Sequence, residues 1–314
     1  MVQTNSMKEK ILIVCGPTAS GKTALAVDIA KKYNGEVISA DSVAIYKNLN
    51  IGSAKPDEKE MQGIPHYMIN VADDTAEFSV SDYENQALKI IYDILSRDKL
   101  PIICGGTGFY VNSLIYKMSY GNAKGDLNLR KKYEEIAEKH GNLAVWNELN
   151  KIDEQTAKKL HPNDLVRVIR AIEIFYSTGI KKSEVVDELI PRFDYFAIMP
   201  EIPREKLYER INSRVDNMLE KGLVNEVKGL IAKGITLDNQ CMQGIGYKEI
   251  YPAVINGEEI PVEEIKRNSR RYAKRQLTFF KRINPYKYDA ETDENKSKLY
   301  SKIDEFLEKT QNDE

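Results

Sequence analysis

The run Gly16-Pro17-Thr18-Ala19-Ser20-Gly21-Lys22-Thr23 follows directly on the apolar stretch Ile11-Leu12-Ile13-Val14-Cys15. Strand, glycine-bounded loop, Lys-Thr pair and helix come in the order of a phosphate-binding loop. Its chemistry is the capture of a polyphosphate. Backbone N–H groups converge on phosphate oxygens, the helix offers its positive end, Lys22 supplies an ammonium and Thr23 a hydroxyl suited to Mg²⁺. A second reactive position is Asp41, which closes the strand-like Glu36-Val37-Ile38-Ser39-Ala40. A carboxylate there can take a proton as general base, organise a Mg²⁺ shell or cap a turn. A third apolar run, Leu100 to Cys104, leads into Gly105-Gly106-Thr107-Gly108 rather than into the Mg²⁺-holding Asp usual in a nucleoside triphosphatase. Glycines at such a strand end either admit nucleic acid close to the backbone or serve a tight helix–strand contact.

Strands alternating with helices must position these groups. Residues 22–33 have helical spacing and stop at Asn34-Gly35, and a further helix is predicted over 81–98. The economical fold class is α/β: a P-loop parallel sheet wound with helices. Ligands of such sheets collect outside the carboxyl ends of the strands, which places the phosphate loop, Asp41 and the Gly105–Gly108 turn on one rim. From about Ser119 the character changes. Gly121-Asn122-Ala123-Lys124-Gly125 reads as a flexible lead-in, and the charged, helix-prone sequence up to Gly179 as a helical insertion domain. Tyr195-Phe196-Ala197-Ile198-Met199 returns the chain to the sheet, and helices over Arg204–Lys233 and Val262–Arg282 complete the core. The expected organisation is therefore a catalytic core of 8–118 with 191–288, an insertion of 119–190 and an acidic C-terminal tail of 289–314.

Composition bounds the class. The 314 residues include three widely separated cysteines, Cys15, Cys104 and Cys241, which suit neither a disulfide framework nor a zinc site. His66, His140 and His161 have no ligand-like spacing either. Met1 to Lys10 lacks the apolar core of a signal peptide, and no run is long enough to span a bilayer, so a cytoplasmic location without membrane contact is expected. The net charge of −2 conceals segregation: Lys266 to Arg282 carries eight basic residues and no acid. That run, with Tyr272, Phe279 and Phe280 interleaved, suits a nucleic-acid backbone. The alternative is an exposed helix face whose aromatics belong to the core.

Six further stretches join the loop in pointing to one family: Asp41-Ser42-Val43-Ala44-Ile45-Tyr46, Ile51-Gly52-Ser53-Ala54-Lys55-Pro56, Gly105 to Tyr110, His161-Pro162-Asn163-Asp164, Gly244-Ile245-Gly246-Tyr247 and Arg271 to Gln276. From Ile11 to about Arg282 the chain resembles the tRNA dimethylallyltransferases, the bacterial tRNA isopentenyltransferases. The resemblance implies transfer of a dimethylallyl group from its diphosphate to N6 of the adenosine 3′-adjacent to the anticodon, tRNA position 37, with release of pyrophosphate. It makes Asp41 the base, puts Thr107 beside the target adenosine and brings Lys22 and Arg214 to the diphosphate. Gly16, Pro17, Thr18, Ala19, Ser20, Gly21, Lys22 and Thr23 bind the diphosphate, with Mg²⁺ on Thr23. Contacts to the anticodon stem-loop fall to Asp41, Ser42, Val43, Ala44, Thr107, Arg130, Arg167, Arg170, Gly244, Gly246, Tyr247, Lys274, Arg275 and Gln276. Ala44 departs from the Gln or Leu of many relatives, and Leu165-Val166 from the usual proline and polar residue. A monomer is implied. An adenylate isopentenyltransferase, a P-loop kinase and a non-catalytic RNA-binding protein with a relic loop are the other readings.

Overall fold

Ile11 to Cys15 have no exposed surface at all, the demand that a central parallel strand covered on both faces makes of its residues. The computed structural model describes residues 8–120, 125–185, 189–289 and 293–309. The chain runs β1 (Lys10–Cys15), α1 (Lys22–Lys32), β2 (Gly35–Ala40), α2 (Glu58–Met61), β3 (His66–Tyr67), α3 (Val80–Ser96), β4 (Leu100–Gly105) and α4 (Gly108–Ile115). Then come α5 (Leu127–His140), α6 (Asn142–Ile152), α7 (Glu154–Ala157) and α8 (Leu165–Thr178). Next follow β5 (Asp194–Glu201), α9 (Arg204–Glu220), α10 (Leu223–Ala232), α11 (Tyr247–Asn256), α12 (Val262–Phe280), β6 (Tyr286–Asp289) and α13 (Asp293–Glu308). The sheet order is β3-β2-β4-β1-β5-β6 and each of these pairings is parallel. The α/β fold expected from the sequence is thus present, and the ends of β1, β2 and β4 open on one rim.

Two compact units result, Met1–Ile115 with Pro191–Glu314, and Tyr116–Ile190. The first holds the sheet. The second is helical, built on Tyr133, Val145, Leu149, Val168 and Ile172, with the Trp146 indole N–H shared between the carbonyls of Ala157 and Leu160, each at 3.0 Å. Of the lead-in expected over Gly121–Gly125, residues 121–124 lie outside the described residues, as do Met1–Ser6.

The helices expected over Arg204–Lys233 are α9 and α10, separated where Gly222 adopts a left-handed φ of 98°. The described part of the acidic tail is structured: it finishes β6 and forms α13. Leu299 and Ile303, one turn apart, are buried in the core beside Leu12, Val14 and Ile29. Charge composition alone hid that apolar stripe. Tyr33 also donates to Asp304 at 2.8 Å, and Lys296 pairs with Asp28 at 2.8 Å.

Candidate active site

The phosphate loop leaves β1 through left-handed backbone at Gly16 (φ 136°), Ala19 (62°) and Gly21 (81°) before entering α1. No side chain among the described residues caps that helix, so its first N–H groups are available to an external anion. Lys22 folds back to donate from Nζ to the Pro17 carbonyl at 2.5 Å. Burial strips water from its ammonium and lowers its pKa to about 8. The Ser20 hydroxyl is buried without a partner among the described residues. The Thr18 N–H, by contrast, is committed: it donates to Gln276 Oε1 at 2.9 Å.

At the end of β2, Asp41 does two things at once. Its Oδ1 accepts the N–H groups of Val43 (2.8 Å) and Ala44 (3.1 Å), capping the turn. Oδ2 has no hydrogen-bond donor among the described residues and remains open to a proton. Thr107 Oγ1 accepts the Ser42 N–H at 3.0 Å and donates to Ser42 Oγ at 3.3 Å, while the Thr107 N–H holds the Ala40 carbonyl at 3.0 Å. Tyr272 lines the adjoining cavity, and burial pushes its phenol up to about 12. Asp41, Ser42 and Thr107 therefore share one hydrogen-bonded corner.

The glycines after β4 serve close contact. A Cβ on Gly105 would strike the Ala40 backbone, and one on Gly106 would strike the Gln276 amide. Gln276, only 5% exposed, donates from Nε2 to the Gly106 carbonyl at 3.0 Å and accepts the Thr18 N–H with its oxygen. The side chain that the family resemblance offers to tRNA is thus an internal strut between two rim loops.

A cavity of about 320 Å³ adjoins this corner. Thr18, Asp41 and Arg214 give it a polar wall, and Ile211, Val215, Met218, Leu223, Ile245 and Ile265 an apolar one. Burial lowers the Arg214 pKa, an effect the Asp41 charge opposes. Arg214 Nη2 donates to the Ser53 carbonyl at 3.4 Å. The loop carrying Ser53 is in turn clasped by Glu226, whose carboxylate accepts N–H groups from Asn50, Ile51 and Gly52. The Tyr247 hydroxyl donates to the same carboxylate at 2.6 Å from a fully buried ring, so Tyr247 too is internal. Gly52 has no room for a Cβ against that ring. Sequence reasoning missed Glu226, which carries no motif of its own. The visible signal was Gly52 and Tyr247 in two separate motifs. Gly244 and Gly246 both line the cavity, Gly246 at φ 97°.

The basic run of α12 divides by partner. Lys266 pairs with Asp216 (2.7 Å), Arg267 with Glu264 (3.1 Å), and Arg270 donates to Asn212 (2.6 Å). Arg271, Lys274, Arg275, Lys281 and Arg282 are exposed and have no ion pair among the described residues. Phe280 is in the core and Tyr272 lines the cavity. In the helical unit, Arg130 (2.7 Å) and Arg170 (3.2 Å) both hold the buried Glu173, and Arg167 pairs with Asp164 at 2.6 Å. Among the described residues no three His, Cys, Asp or Glu side chains gather as a metal cluster, and no helix is long and apolar enough to cross a membrane.

Comparison with known proteins converges. The sequence model of the IPP transferase family matches residues 44–283. A tRNA dimethylallyltransferase of Acetivibrio thermocellus is 50% identical over 281 residues, covering 88% of this chain and 90% of that protein. The crystal structure of the full-length tRNA isopentenylpyrophosphate transferase of Bacillus halodurans superposes with a TM-score of 0.71 at 39% identity, covering 96% of this chain and 97% of that one. A eukaryotic dimethylallyltransferase, solved acting on tRNA, gives a TM-score of 0.76 at 34% identity over 91% of this chain and 74% of its own.

Proposed function

Because the chain belongs to the IPP transferase family, we propose that it is a transferase that moves a dimethylallyl group from dimethylallyl diphosphate to tRNA, the acceptor being N6 of the adenosine at position 37 in the anticodon loop. The observation that carries this reading is the cavity in which Asp41 and Arg214 face an apolar wall. A five-carbon allyl group suits the apolar side, and its diphosphate the cationic rim.

The reaction breaks the allylic C–O bond and forms an N6–C bond. Negative charge grows on the leaving pyrophosphate, and the free N–H groups at the start of α1, Lys22 and Arg214 are the preorganised donors that stabilise it. The nitrogen sheds a proton as it attacks, and Asp41 Oδ2 is the acceptor, held in place because Oδ1 is fixed to the turn. Thr107, its hydroxyl hydrogen-bonded to Ser42, is proposed to lie beside the target adenosine. The donor set also fits Mg²⁺ entering with the diphosphate: one Thr23 hydroxyl, with no carboxylate cage among the described residues, suits an ion that keeps phosphate and water ligands. Bound there, Mg²⁺ would neutralise diphosphate charge. Arg130, Arg167, Arg170, Lys274 and Arg275 are the proposed tRNA-backbone contacts, and the protein is proposed to act as a monomer.

Incubation with Mg²⁺, labelled dimethylallyl diphosphate or ATP, and tRNA or AMP tests the reading. Label is expected only on tRNA from dimethylallyl diphosphate. Prenylated AMP would establish the adenylate reading, phosphoryl transfer from ATP a kinase, and no product in any pairing a binding protein.

A further inference from the structure

Phe109 is the second residue of α4, two positions beyond Thr107, and it is 58% exposed. A solitary exposed apolar residue is ordinary. This one has a built surround. The Phe279 ring of α12 lies behind it, centroids 5.6 Å apart, and the Arg282 guanidinium stands 5.5 Å over Phe279. Phe279 also presses so closely on Gly108 that a Cβ there would collide with its ring, which fixes the backbone presenting Phe109. Arg282 and Arg275, the latter one turn before Phe279 on α12, are exposed and without ion pairs among the described residues.

An aromatic face held rigid beneath unpaired cations is the arrangement that binds single-stranded nucleic acid, with the base on the ring and the phosphates at the rim. Its position selects the occupant. Thr107 and Phe109 are separated by at most about 7.6 Å between Cα atoms, so a nucleotide neighbouring one held at Thr107 falls within reach of the ring. A base left unstacked when adenosine is drawn out of the anticodon loop needs a new partner. We propose that Phe109 is a stacking site for the unpaired nucleobase adjacent to the reacting adenosine, an inference that rests on the tRNA-transfer reading above.

Binding of tRNA carrying 2-aminopurine next to the target adenosine, measured at several salt concentrations, tests the site. Phe109→Ala is expected to weaken tRNA binding by about 5- to 150-fold, the range of base–aromatic stacking. It should also relieve the fluorescence quenching, leaving the salt slope, dimethylallyl diphosphate affinity and melting temperature unchanged. Phe109→Tyr keeps a ring and is expected to stay within about two-fold of the parent. The site is overturned if Phe109→Ala binds and quenches like the parent, if Phe109→Tyr is as weak as Phe109→Ala, or if the loss comes with a changed salt slope. A parent protein that does not bind tRNA overturns the functional reading and the stacking site together, whereas a parent that transfers normally alongside an equally active Phe109→Ala overturns the stacking site alone.

Discussion

Asp41 shows why one side chain can be read correctly in two ways. Its Oδ1 caps the Val43–Ala44 turn while Oδ2 stays open, so turn and base are separate oxygens of one carboxylate. Asp41→Asn can keep an oxygen for the two N–H groups and loses the basic carboxylate. It is expected to retain the parent's melting temperature and tRNA affinity while kcat falls by about 10²–10⁴-fold. Near-normal turnover would remove Asp41 as base and leave it a turn residue. Lys22 presents the opposite conflict, between stability and binding. Its folded pKa of about 8 lies below the 10.5 of an exposed lysine, so between these values the unfolded chain binds the extra proton and stability rises with pH. The penalty is complete below pH 8. Lys22→Met is therefore expected to raise the melting temperature at pH 7, with the gain shrinking towards pH 10, while diphosphate binding is lost. In the parent, affinity for dimethylallyl diphosphate should decline as pH passes upward through 8, because the anion binds the protonated ammonium. Calorimetry across pH 6.5–9.5 reads both, and a flat affinity profile would sink the assignment.

At the scale of elements, α12 is one helix with two jobs on two faces. Arg271 and Arg275 point no ion pair at the protein among the described residues, whereas Gln276 is buried and ties the phosphate loop to Gly106. Charge reversal at Arg271 and Lys274, which unlike Arg275 do not line the cavity, is expected to weaken tRNA binding and to lower its salt slope by about 0.7–0.9 per lost phosphate contact, with dimethylallyl diphosphate binding intact. Gln276→Leu should do the reverse. It strands the Thr18 N–H and the Gly106 carbonyl, each worth about 1–3 kcal/mol when buried unpaired, so the KM for dimethylallyl diphosphate should rise while the tRNA salt slope holds. Gly106→Ala, which displaces the Gln276 amide, is expected to match it. If both variants change only the salt slope, Gln276 belongs to the tRNA surface after all. The sequence made the helix and its charges legible because cations at helical spacing are a local pattern. The strut was not legible, since an amide joining residues 258 positions apart leaves no local trace.

Across the whole molecule, what the sequence disclosed and what it withheld follow the same divide between local and distant contacts. The phosphate loop, Asp41 and the glycine turn are short motifs at strand ends, and a parallel sheet carries them to one rim wherever else the chain goes. Glu226 and α13 act only through partners far along the chain. Residues of α13 have an acidic average, yet Leu299 and Ile303 close the core over Leu12, Val14 and Ile29. Lys10, at the opposite end of the chain, donates to the carbonyls of Leu307 and Lys309. A dispensable tail and a structural helix make different forecasts. Leu299→Ala leaves a cavity in a dry apolar cluster and is expected to cost about 2–5 kcal/mol, and deletion of residues 293–314 should lower the melting temperature further and expose apolar surface to dye binding. The transferred group, the nucleophile and the phosphate loop are untouched by either change, so kcat for the fraction still folded at low temperature should stay near that of the parent. A deletion variant that melts with the parent would show that β1 and α1 need no cover from the C-terminal helix, and that the acidic segment is the appendage its composition suggests.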